Sequence, residues 1–194
     1  MPVAEELGLA GKVDRWVVLN AIKAMAALQH PVRLLINFTG YSLRDPSLAE
    51  WIGKAIKASK VNPSSFVFQF TEVDINNHLK QAAAFIQQIH AQGAQAAISR
   101  FGGAQDSARV FEHVKVDMVK FDRSYTQDIA IKECREKLSQ LISVVAAADM
   151  KGLVSYVETA GQMQALWTLG GIEYLQGYYL QQPADQMVLD QPQS

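Results

Sequence analysis

The sequence predicts an α/β barrel built on a parallel sheet, and three observations carry the prediction. Apolar strand-like runs alternate with helical segments about six times along the 194 residues, the rhythm of a parallel sheet with helical crossovers. Nearly every run closes on a polar residue: Asn37 in RLLIN, Gln69 in SFVFQFTE, Ser99 and Arg100 in AQAAISRFGG, Lys120 and Asp122 in VDMVKFD, Ser155 to Glu158 in GLVSYVET, and Gln176 in EYLQGYY. Candidate site residues thus come from every strand end, as in a barrel. An open doubly wound sheet, the competing architecture, gathers them at one switch point.

The elements follow in order. Segment 14–28 reads as a buried helix, with Asp14 as its N-cap and His30-Pro31 as its stop. Arg33–Phe38 is a strand, helix 47–58 follows the turn Asp45-Pro46, and Asn62-Pro63-Ser64 punctuates before strand Phe66–Thr71. Leu79, Ala82, Ile86 and Ile89 step at helical spacing, so 75–91 is an amphipathic helix that Gly93 ends. Gln95–Arg100 is the next strand, and a short helix around 105–113 leads to strand Met118–Phe121. The longest helix covers 126–148, with Leu138, Leu141, Ile142 and Val145 on one face. Strand 153–157, helix 160–169, the Gly170-Gly171 turn and strand 173–179 complete the pattern, and the polar tail after Pro183 frays. The chain reads as one domain over 1–194. Because barrels of this class have eight strands and run to ~250 residues, it is one or two strands short at its N-terminal side.

Composition bounds the function. With 49% hydrophobic and 19% charged residues and a formal net charge of -1, the chain has the make-up of a globular protein without the basic surplus of a DNA- or RNA-binding one. The start MPVAEELGLAGK lacks an apolar signal core, and no apolar run reaches the ~20 residues of a spanning helix. One cysteine, Cys134, permits no intrachain disulfide. A cytoplasmic location and no membrane insertion are the expectations.

The ordered set INFTG, FQFTE, ISRFGG, VKFDRS, SYVET and LQGYYLQQP resembles the EAL domain family of cyclic di-GMP phosphodiesterases, over nearly the whole chain. The resemblance implies a modified (β/α)8 TIM-like barrel, here without the N-terminal strand that carries the family's E-x-L signature. That strand is either truncated or supplied elsewhere. Active members hold two divalent metals through acidic residues and an Asn, and the metals activate the attacking water. By resemblance Asn37 matches the Asn of V-N-L-S, Lys120 and Asp122 match K-I-D, and Glu158 matches the second Glu of E-G-V-E-T. Gln69, however, stands in place of a metal-binding Glu. Ser99 and Arg100 replace an Asp pair, and Ser155 replaces a Glu.

A neutral Gln is a poor ligand for a hard cation, and Arg100 at ~4 Å would repel a dication by a few kcal/mol at intermediate dielectric. The expectation is a catalytically inactive domain that needs no Mg²⁺ or Mn²⁺. Its implied ligand is cyclic di-GMP. Arg100, with Lys120, would meet phosphate where metal once sat. Tyr156, which replaces the Gly of E-G-V-E-T, would stack on guanine, while Glu158 or Gln176 would read a base edge or a ribose hydroxyl. Gly177 would allow close approach, and Asp14 borders the pocket in the family. These features resemble degenerate, FimX-type receptors of type IV pilus regulation, which implies a protein partner such as a PilZ-domain protein. The alternatives are a nucleotide-free interaction scaffold and a residual phosphodiesterase.

Other residues take ordinary roles. Gly102-Gly103 is a candidate anion nest, although Ala104-Gln105-Asp106 departs from the family's G-T-G-Y-S-S loop. His30, His78, His90 and His113 have no metal-ligand spacing, and Trp16, Trp51 and Trp167 read as packing residues on helices.

Overall fold

A computed structural model describes residues 9–28 and 32–184. Among the described residues six strands form one sheet in sequential order, every neighbouring pair parallel: β1 (Leu34–Asn37), β2 (Phe66–Thr71), β3 (Gln95–Phe101), β4 (Met118–Phe121), β5 (Lys151–Val154) and β6 (Tyr174–Leu175). The sheet curls into an incomplete barrel, as the βα rhythm predicts. Before, between and beside the strands lie α1 (Ala10–Ala27), α2 (Leu48–Ser59), α3 (Glu72–Asn77), α4 (Leu79–Ala91), α5 (Ser124–Gln127), α6 (Lys132–Ala147) and α7 (Ala160–Leu169).

The period-2 alternation of each strand separates two apolar layers. Phe66, Phe68 and Phe70 of β2 point to the helical layer, where Phe68 stacks on Phe38 at 5.4 Å and Phe70 meets Phe85 edge-on at 5.2 Å. Val67, Ala97, Met118 and Leu153 form a second cluster, packed by Leu35 and Tyr174, which fills the barrel lumen. Arg33 Nη1 donates to Tyr174 Oη at 2.7 Å, joining the first strand's entry to the last strand.

Local chemistry starts and stops the elements. Thr71 caps α3 by accepting from Asp74 N–H, and Thr159 with Gln162 builds a capping box on α7. Asn62 accepts from Ser64 N–H, and Pro63 opens the 3-10 turn before β2.

Several expectations are corrected. Asp14 does not cap α1, which begins after Leu9; it lies inside the helix, buried, and its carboxylate accepts from Ser42 Oγ. The 75–91 helix is two helices, because the Thr71 cap starts α3 directly from β2 and His78 leaves helical geometry after Asn76 and Asn77, both weak helix formers. The 126–148 helix is interrupted where Ile129 turns into the core and Arg135 Nη1 ties down the Ile129 and Ala130 carbonyls. The 105–113 helix is 3-10 over Ser107–Glu112. Strand 153–157 ends at Val154, and 173–179 shrinks to two residues. Trp16 and Trp167 are not packing residues, being 65% and 76% exposed. The His30-Pro31 stop and the tail from 185 onward lie outside the described residues.

Candidate functional site at the carboxyl ends of the strands

Each apolar lumen residue is followed two positions later by a polar one. Leu35 leads to Asn37, Val67 to Gln69, Ala97 to Ser99, Met118 to Lys120, Leu153 to Ser155 and Tyr174 to Gln176. The two-residue step keeps both members of each pair on the same face, so a dry floor carries a ring of polar side chains at the mouth. Six of the twelve expected site residues thereby converge.

Within the ring, Asn37 and Gln69 are register partners on β1 and β2, and Gln69 Nε2 donates to Asn37 Oδ1. Gln69 Oε1 is buried and meets no protein partner. Ser99 Oγ donates to the Phe70 carbonyl at 3.2 Å. Ser155 is buried, and its carbonyl accepts from Thr126 Oγ1 at 2.6 Å, which fixes the β5 exit against α5. Lys120 Nζ donates to Gln176 Oε1 at 2.9 Å, a neutral partner for a half-buried cation. Burial pushes the Lys120 ammonium pKa below its ordinary 10.5, because removal from water penalises the charged form.

Two residues around the ring hold left-handed backbone without being glycine. Arg100 has φ +56 in the irregularity of β3, where Ile98 pairs with Val119 and Phe101 with Phe121, so β3 carries an extra residue. Arg100 is exposed as a result. Tyr156 has φ +65 and is 48% exposed just beyond β5. Such a conformation strains a side-chain-bearing residue by ~1–2 kcal/mol, and strain of this kind gathers where the chain presents a functional group.

The remaining expected residues take defined places. Asp122 follows β4, and its Oδ1 accepts from Ser124 N–H at 3.0 Å. Glu158 is exposed, with its backbone N–H donating to Gln162 Oε1 at 2.8 Å. Gly177 sits where a Cβ would lie 2.1 Å from the Val157 carbonyl oxygen and 2.3 Å from its nitrogen, so only glycine lets the two backbones approach. Asp14 stands on α1, where its carboxylate accepts from Ser42 Oγ in the loop after β1.

Sequence reading missed Glu72. It is buried, and its Oε2 accepts from Gly102 N–H at 3.1 Å, while Tyr125 Oη donates to the Gly102 carbonyl at 2.8 Å. Glu72 and Tyr125 together clamp the turn after Arg100, where Gly102 has φ +90. An acid one residue after a Thr cap reads in sequence as a helix-dipole partner, which hides this second role. Among the described residues, no group of three or more His, Cys, Asp or Glu side chains converges as a metal cluster would.

This barrel, with its site at the strand ends, matches the EAL domain family over residues 1–183. The chain belongs to the EAL domain family. The FimX EAL domain of Pseudomonas aeruginosa bound to c-di-GMP superposes with a TM-score of 0.89 at 40% identity, covering 94% of this chain and 74% of that one. The FimX EAL domain of Xanthomonas citri in complex with c-diGMP gives a TM-score of 0.87 at 28% identity, over 92% and 72% of the two chains. Among curated relatives, the cyclic di-GMP phosphodiesterase PdeF of Escherichia coli K12 is 28% identical over 189 residues, 94% of this chain. This EAL chain spans about a quarter of PdeF's length, 25%. No helix among the described residues is long and apolar enough to cross a membrane.

Proposed function

We propose that this EAL domain is a receptor that binds cyclic di-GMP without metal, does not cleave it, and signals through protein contacts. The observation that carries the reading is the donor set of the lumen ring. Asn37, Gln69, Ser99, Ser155 and Gln176 are neutral, and Lys120 is a cation. That set does not fit a pair of hard divalent ions, which need converging carboxylates. It suits a phosphodiester, which needs donors and positive charge. Likeness to FimX EAL domains bound to the nucleotide supports the ligand's identity.

In this reading the ligand's phosphate meets Lys120 and Arg100, and a guanine stacks on Tyr156. Asp122, Glu158 and Gln176 offer acceptors for base N–H groups and ribose hydroxyls. The ring brings neutral amides, hydroxyls and the Lys120 cation to the mouth in place of the converging carboxylates that would hold water-activating metals, so incubation with Mg²⁺ or Mn²⁺ should return the nucleotide intact. Linear dinucleotide accumulating in proportion to protein would contradict the proposal.

Lys120 gives a pH signature with two opposite slopes. Its pKa is lowered in the folded protein, so the unfolded chain binds that proton more tightly. Stability therefore rises as pH climbs from the lowered value toward 10.5. Affinity for cyclic di-GMP should fall through the same window, since the ammonium that attracts phosphate is being lost. Lys120→Met should flatten the affinity slope; a profile identical to wild type would remove Lys120 from the ligand's contacts.

A second reading, a nucleotide-free interaction scaffold that binds a PilZ-type or other protein partner, is favoured by the exposed Trp16 and Trp167. Partner binding that is indifferent to added nucleotide separates it from the receptor. The pilus role and the cytoplasmic setting belong to the FimX-type reading and stand or fall with it.

A further inference from the structure

The amides of Asn37 and Gln69 sort the mouth between cations and anions. Gln69 is 3% exposed, its Nε2 donates to Asn37 Oδ1, and its Oε1 has no protein partner. Asn37 is exposed at the mouth, so with its oxygen turned inward its Nδ2 donors face the opening. Flipping both amides would pair Asn37 Nδ2 with Gln69 Oε1 and leave the two buried N–H bonds of Gln69 Nε2 without that acceptor. Buried N–H groups without partners are rarer than under-satisfied carbonyl oxygens, which favours the observed arrangement. A glutamate at 69 would reverse it, because a carboxylate only accepts. Asn37 would then turn Nδ2 inward and present Oδ1 outward, an oxygen suited to a hard cation.

We propose that Gln69 is a positioning residue: it turns the Asn37 amide so that the β1 corner of the mouth donates hydrogen bonds to an anionic phosphoryl oxygen. The inference deepens the receptor reading and rests on it. Two measurements test it. In the ligand-free protein, the Gln69 side-chain NH₂ should exchange slowly with solvent by NMR and that of Asn37 quickly. In cyclic di-GMP titrations with EDTA, Gln69→Glu should bind about tenfold or more weakly than wild type. Gln69→Leu, which orients Asn37 in neither sense, should lose less. Equal affinity of wild type and Gln69→Glu in EDTA, or a protected Asn37 beside a freely exchanging Gln69, would overturn the positioning role and leave the receptor reading standing. Wild type that fails to bind in EDTA overturns the receptor reading and, with it, the phosphoryl contact.

Discussion

Tyr156→Gly should weaken cyclic di-GMP binding about 5- to 150-fold, the equivalent of the ~1–3 kcal/mol that one base–aromatic stack contributes, without destabilising the fold. The second half of the expectation distinguishes a binding residue from a packing one. Tyr156 holds φ +65 with its ring half exposed. Glycine relieves ~1–2 kcal/mol of backbone strain and gives back ~0.5–1 kcal/mol in unfolded-state entropy. The thermal midpoint should therefore stay level or rise by up to ~6 °C. Tyr156→Phe keeps both ring and strain and should bind like wild type. Calorimetric titration and a thermal melt on the same three proteins decide the matter. A glycine variant that melts lower and binds normally would make Tyr156 a packing residue.

Gly177→Ala should be among the most damaging single substitutions in the chain. A methyl there would lie 2.1, 2.3 and 2.6 Å from three backbone atoms of Val157, none of which can rotate away. Val157 N–H also donates to the Gln176 carbonyl at 3.1 Å, and Tyr179 N–H to the Val157 carbonyl at 3.0 Å. Separating the two segments strains those bonds together. A loss of roughly 3 kcal/mol, the upper range for overpacking, corresponds to a drop of about 6–12 °C in a domain of this size. Binding should fall too, because Lys120 donates its hydrogen bond to the neighbouring Gln176. A melt within ~2 °C of wild type would mean that the 155–181 segment is looser than described.

Much of the fold was legible because parallel strands buried on both faces carry a strong signal. Runs such as SFVFQFTE and AQAAISRFGG gave β2 and β3 nearly to the residue. What escaped was controlled by single contacts. Asp14 looks like a cap in sequence because a polar residue opens an apolar helix, yet the chain continues helical back to Ala10 and Asp14 turns to Ser42. The break at Ile129 depends on Arg135 reaching back to two carbonyls, a tertiary arrangement that no local period reports.

The ring of polar strand ends was legible in its membership and illegible in its wiring. Period-2 alternation places Asn37, Gln69, Ser99, Lys120, Ser155 and Gln176 around one lumen. It does not say that Gln69 bonds Asn37 or that Lys120 bonds Gln176. Nor does it reveal that Arg100 and Tyr156 adopt left-handed backbone, since nothing in either side chain asks for it. Glu72 was hidden because its helix-start position already accounts for an acid.

The account rests on a mouth that holds its nucleotide with protein donors in place of metal. Isothermal titration of the protein at tens of micromolar with cyclic di-GMP in excess EDTA tests this most directly. The account predicts saturable heat at one site per chain, with the same affinity when Mg²⁺ replaces EDTA. Absence of heat in EDTA, with binding that appears only on adding the divalent ion, would contradict it.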